Sequence, residues 1–197
     1  CCDAQDGLQT DESDVDLMNK YVELRPTDPN AYNERASVYF KLGRYAEAIV
    51  DYTKAIELFQ NNDSRPYLMR GRSYARDGQF DSALKDFNKA ISADPETPIF
   101  YYERGWLYCD TKRLDLAVAD FKMAIQLDKD LIVDEYSWLE IRFVTFHNLA
   151  DESYFALGVC YYRQEKYREA FENLGFIKNV GLLQSDFYSL RGHCYNK

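Results

Sequence analysis

Apolar positions recur along this chain at steps of three, four and seven residues, and the same pattern returns about every 34 residues. Five segments begin and end in tyrosine: Tyr32 to Tyr39, Tyr67 to Tyr74, Tyr101 to Tyr108, Tyr154 to Tyr161 and Tyr188 to Tyr195. They share the form Y-x-x-[R/L]-[A/G]-x-x-Y. Their leading tyrosines are 35, 34, 53 and 34 residues apart. A fixed period of this size marks repeated supersecondary units. The one long step exceeds the period by 19 residues and marks an insertion.

Each of the first four segments is followed by a second signature. It runs Tyr45, Ala48, Tyr52 and Ala55, then Phe80, Ala83, Phe87 and Ala90, then Leu114, Ala117, Phe121 and Ala124, then Tyr167, Ala170, Leu174 and Ile177. Such spacings put these residues on one helical face. The first unit therefore predicts one helix from Tyr32 to about Lys41 and a second from Ala46 to Leu58. Gly43 lies in the turn between them, as a glycine suited to a helix stop. Gly78 repeats it, whereas Lys112 and Glu165 occupy that position later. Ala36, Gly71, Gly105, Gly158 and Gly192 are small where paired helices should cross, opposite Ala48, Ala83, Ala117 and Ala170. The tyrosines are read as core filling the space beside these contacts.

These residues resemble the tetratricopeptide repeat over 29–131 and 151–197. Tyrosine stands in place of the family's tryptophan, and Pro95 alone holds its terminal proline position. The resemblance implies an all-α, right-handed α-solenoid of helix-turn-helix repeats. The expected organisation is a disordered acidic tether at 1–16, a capping helix at 17–28, and repeats at 29–63, 64–97 and 98–131. An insertion at 132–150, read as an extra helix, precedes a fourth repeat at 151–184. Residues 185–197 form a C-terminal capping helix, the first helix of a fifth repeat. Its Arg191, His193, Asn196 and Lys197 supply a polar outer face, so the chain is read as finished there.

A second regularity is charged. Arg35, Arg70 and Arg104 each precede an aspartate by sixteen residues: Asp51, Asp86 and Asp120. The fourth repeat has Leu157 and Asn173 instead, so both charges disappear together. Ion pairs joining the two helices of each repeat are expected, the alternative being independent surface charges. If exposed, such a pair contributes about 0–1 kcal/mol and serves alignment more than stability.

Charge alters the picture at one end only. Of the net −9, two thirds comes from Asp3, Asp6, Asp11, Glu12, Asp14 and Asp16 in a stretch without basic residues. So polar a segment cannot bury enough surface to order itself. Cys1 followed by an acidic tether resembles a mature bacterial lipoprotein, in which the first cysteine carries the lipid. That resemblance implies a cell envelope location, anchored to the outer membrane. A soluble cytoplasmic adaptor with no lipid at Cys1 is the alternative. No run approaches the roughly 18 apolar residues of a membrane span.

Catalytic constellations are not apparent. His147 and His193 have no second ligand at metal spacing, and the single glycines make no phosphate cradle. A non-enzymatic protein without cofactor, metal or small-molecule substrate is expected. Nucleic acid is disfavoured because the basic residues form no extended patch. Cys109, Cys160 and Cys194 are read as buried free thiols within first helices.

In the tetratricopeptide family the first helices line a concave groove that takes protein or peptide segments. The matching positions here give a basic strip, Lys41, Arg65, Arg72 and Arg76, suited to carboxylates. They also give an aromatic strip, Tyr102, Trp106, Phe155, Val159 and Tyr162, which the insertion could equally cover. The family's carboxylate clamp for chaperone tails is absent, since Glu34, Met69 and Glu103 hold its positions. The reading is a protein-interaction scaffold, with a regulatory module of a larger enzyme complex as a further alternative.

Overall fold

The computed structural model describes residues 12–59, 63–128, 149–178 and 184–197. Among these there are ten helices and no strand. The chain divides into two compact units, residues 1–93 and 94–197. The first holds α1 (Glu12–Leu24), α2 (Pro29–Lys41), α3 (Tyr45–Leu58), α4 (Arg65–Arg76) and α5 (Phe80–Ala93). The second holds α6 (Pro98–Asp110), α7 (Leu114–Asp128), α8 (Leu149–Arg163), α9 (Tyr167–Leu174) and α10 (Gln184–Tyr195). Neighbours in sequence pack as hairpins: α2 on α3, α4 on α5, α6 on α7 and α8 on α9.

Proline opens α2, α4 and α6, where its missing N–H costs no hydrogen bond. The Asp28 side chain caps α2 by accepting from the Asn30 N–H at 3.0 Å. All four hairpins turn in the same way. The carbonyl of the second tyrosine in each pair accepts a closing N–H from Arg44, Gln79, Arg113 or Lys166 at 2.8–2.9 Å. The residue before that donor is left-handed: Gly43 at φ 75° and Gly78 at φ 79°, but also Lys112 at 60° and Glu165 at 61°. Two non-glycine residues thus carry a conformation that costs an L-residue about 1–2 kcal/mol.

The core draws on first and second helices but not on the tyrosine pairs, with Leu68, Phe100, Leu107 and Leu157 buried on first helices. Tyr52, Phe87, Phe121 and Leu174 are fully buried. Each points at the small residue of its partner helix. An added Cβ at Gly71 would lie 2.8 Å from Phe87, at Gly105 2.7 Å from Phe121, and at Gly158 2.7 Å from Leu174. Ala36 plays the same part against Tyr52. The paired tyrosines of the first four repeats are only half-buried, and Tyr188 and Tyr195 are exposed. This corrects the expectation that they are core. Tyrosine's hydroxyl favours an edge position, where a wet or polar partner is available. Tyr32 and Tyr101 show this directly, donating to the carbonyls of Pro26 and Pro95, each at 3.0 Å.

Helix α1 begins at Glu12, so residues 12–16 of the expected tether are helical. Val15 is buried, Glu12 pairs with Arg44 at 3.2 Å, and acidic residues suit a helix N-terminus. The remainder of the tether, including Cys1, lies outside the described residues. So does the expected extra helix, apart from Leu149 and Ala150, which open α8.

Candidate partner-binding faces

In the first unit the arginines between the tyrosines form a repeated contact. Arg35 Nε and Nη2 donate to the two Asp51 oxygens at 2.6 and 2.8 Å. Arg70 holds Asp86 in the same way at 2.7 and 2.8 Å. In the second unit Arg104 holds Asp120 at 2.7 and 2.8 Å. The sixteen-residue spacing thus brings three two-pronged pairs together. The aspartates are buried, which separates them from the exposed pairs considered above. Each guanidinium also lies between its tyrosines, with ring centroids 5.6–5.9 Å away. A further arm is not legible in the spacing. Arg35 Nη1 donates back to Asn19 Oδ1 of α1 at 3.1 Å, and Arg70 Nη1 to Thr53 Oγ1 of α3 at 3.0 Å. One arginine therefore joins three helices.

The basic strip of the first unit is narrower than its composition implies. Arg65 closes on Asp63 at 2.6 Å. Burial opposes ionisation of Asp63, but hydrogen bonds from Arg65 outweigh it and hold the carboxyl below its ordinary value. Arg72 is half-buried, with its guanidinium over the Phe40 ring at 5.5 Å and Nη1 at 3.9 Å from Met69 Sδ. Lys41 and Arg76 are exposed at the ends of α2 and α4. Arg65 thus already holds a carboxylate, and Arg72, Lys41 and Arg76 are the strip's other cations.

The aromatic strip divides between two clusters of the second unit. Tyr102 and Trp106 meet edge to face at 6.3 Å, and both lean on Phe121, at 5.9 and 5.6 Å. Phe155 and Tyr162 pack instead on a cluster of Ala170, Leu174, Phe187 and Cys194. Val159 is half-buried between these positions on α8. Burial pushes the Tyr102 phenol well above its ordinary value, and the neighbouring Glu152 carboxylate adds to the shift. Glu152 is itself buried in the first turn of α8, with Asp151 and Ser153. A buried polar run was not anticipated; its sequence signal is D-E-S, whereas α2, α4 and α6 open with proline.

Cys109 and Cys160 share one cluster with Phe121 and Leu157. Contact with Cys109 and burial raise the Cys160 thiol far above the cysteine range. Cys109, Cys160 and Cys194 are free and buried. Among the described residues no group of three or more His, Cys, Asp or Glu is placed to hold a metal ion. No described helix is long and apolar enough to cross a membrane.

Models of the tetratricopeptide repeat match residues 29–62 and 68–131. The chain is a tetratricopeptide repeat protein. Solved structures agree in fold with this repeat protein. A chain of the APC/C hetero-tetramer Cut9-Hcn1 matches with TM-score 0.74 at 19% identity, over 94% of this chain. The match spans only 33% of that larger chain. TTC0263, a thermophilic tetratricopeptide protein of Thermus thermophilus, matches with TM-score 0.67 at 17% identity, over 94% and 91% of the two chains. YrrB, described as having an unusual peptide-binding site, matches with TM-score 0.64 at 20% identity, over 92% and 84%. No curated protein matches in sequence.

Proposed function

We propose that this repeat protein is a non-enzymatic scaffold that binds a partner protein or peptide along its first helices, tethered to a bacterial envelope by lipid on Cys1. The observation that carries the binding reading is Trp106. It is braced on two aromatic rings, yet only partly buried on a first helix. A rigid, partly exposed tryptophan is a typical interface anchor. Arg72, held over Phe40, offers a second pre-oriented contact in the other unit. The peptide site described for YrrB, a protein of the same fold, supports the same reading.

The test is affinity capture with wild type beside Arg72→Glu and Trp106→Ala. Partners should be lost from at least one variant while the helical content stays unchanged. If neither substitution altered any bound partner, the first-helix faces would not be the binding site. Anchoring is tested separately, by expressing the full reading frame with a labelled fatty acid. Label on the Cys1 peptide supports the tether, and an unlabelled Cys1 assigns the protein to the soluble alternative.

A further inference from the structure

Within the second unit, first helices meet in a staggered register. The residue after the second tyrosine of one helix packs with the residue before the second tyrosine of the next. Cys109, which follows Tyr108, shares a core cluster with Cys160, which precedes Tyr161. Tyr162, which follows Tyr161, packs on the cluster that holds Cys194, which precedes Tyr195. Helices α6 and α8 pack directly on each other, as do α8 and α10. At the α6–α8 junction both places of the register hold a cysteine. The helix ends are tied there as well. Arg163 Nη1 donates to the Cys109 carbonyl at 3.5 Å, and Gln164 Nε2 to Asp115 Oδ1 of α7 at 3.1 Å.

The stagger decides which thiols can bond. Cys160 and Cys194 hold the same repeat position, and equivalent positions on packed helices lie about 8–10 Å apart. A disulfide spans no more than about 7 Å between Cα atoms. Cys109 and Cys160 are displaced toward each other, and their sulfurs touch, the Cys160 S–H donating to Cys109. That hydrogen bond holds the Cys109 thiol below its ordinary value against the opposing effect of burial, and Arg163 adds to it. Cys109 is therefore the readier nucleophile of the two. It is also the next-to-last residue of α6, beside the turn that contains the left-handed Lys112. Helix ends open locally at little cost, so this buried sulfur has a route to solvent without loss of the hairpin.

We propose that Cys109 and Cys160 are a redox site, forming a reversible disulfide that staples the third repeat to the fourth. The oxidant is a low-molecular-weight disulfide. The Cys109 thiolate attacks one of its sulfurs, which forms a mixed disulfide and releases one small thiol. Cys160 gives up its proton and attacks the Cys109 sulfur, and the second small thiol leaves. Each departing thiolate takes up a proton that a cysteine lost. Two protein thiols are oxidised, and one small disulfide is reduced to two thiols. The bond links α6 to α8, which are otherwise joined through α7 and the insertion. It therefore fixes Tyr102 and Trp106 of α6 against Phe155, Val159 and Tyr162 of α8. The chemistry itself does not depend on those residues binding a partner.

The probe is glutathione. The folded chain, with all five cysteines, is held in buffers of reduced and oxidised glutathione until its mass stops changing, then quenched with acid and mapped by mass spectrometry. The peptides carrying Cys109 and Cys160 should appear linked, with two hydrogens lost, and dithiothreitol should separate them. Cys109→Ala or Cys160→Ala should each abolish the link, with helical content by circular dichroism unchanged. A chain with Cys1→Ser, Cys2→Ser and Cys194→Ala keeps only the pair and tests its geometry. Its equilibrium constant against glutathione should be at least about tenfold larger in the folded chain than in concentrated urea, because a bond that suits the native structure is favoured there. An equal or smaller constant in the folded chain would mean that the helices hold the sulfurs wrongly and would overturn the proposal. So would a link from Cys160 to Cys194 in the five-cysteine chain, or a glutathione adduct on Cys109 that Cys160 does not displace.

Discussion

The first three repeats and the fourth close the same hairpin with different chemistry. In repeats one to three a buried aspartate grips a guanidinium held between two tyrosines. In repeat four Leu157 and Leu174 are buried instead, and Asn173 turns back to donate to the Glu169 carbonyl of its own helix at 2.8 Å. The small residue that makes a notch and the large one that fills it are common to all four, so the small-on-large contact defines the hairpin. The ion pair is added to it. A buried pair is weak support for stability as a whole, because desolvation offsets much of its attraction. Breaking half of it is another matter.

The largest expected effect separates these two statements. Arg70→Leu strands the Asp86 carboxylate and should cost about 3–5 kcal/mol in urea unfolding. Adding Asp86→Asn copies the fourth repeat and should recover more than half of that loss. If the double variant were as unstable as the sum of the singles, the hydrocarbon solution would not be transferable. Next comes the notch. Gly105→Ala forces a Cβ against Phe121 and should cost about 1–3 kcal/mol. Gly192→Ala, with open space around it, should instead gain about 0.5–1 kcal/mol by helix propensity. Equal effects at the two glycines would mean that the notch does not set the hairpin.

The period, the hairpins and the sixteen-residue pairing are legible in the sequence because each rests on spacing along a single helix or one short turn. The place of the tyrosines is not. Spacings of three, four and seven show which residues share a face but not which face meets the neighbouring helix. Ala36, Gly71, Gly105 and Gly158 identify that face, and the tyrosines lie beside it with the arginine. Composition overstates the basic strip because Asp63, two residues before Arg65, is its partner across a turn that spacing does not describe. The expected acidic tether runs too long because composition outweighs Val15, one apolar residue with a place in the core.

Smaller effects sharpen the comparison at the turns. Lys112→Gly and Glu165→Gly relieve left-handed backbone and should each raise stability by up to about 1 kcal/mol, whereas Leu42→Gly beside Gly43 should not. Thermal melts of the three variants check this. The smallest change is Tyr101→Phe, which removes one exposed hydrogen bond to the Pro95 carbonyl and should cost about 0.5 kcal/mol. A loss several times larger would give the tyrosine edge a structural weight equal to the notch.

Trp106 also makes this protein its own optical instrument. The chain has two tryptophans and 17 tyrosines, so ultraviolet light absorbed by the many phenols can drain by resonance transfer to few indoles. With Trp138→Phe, emission would come from Trp106 alone, on a first helix and braced by Tyr102 and Phe121. Any ligand that covers it, whatever its chemistry, would shift the spectrum toward the blue without a dye or a tag.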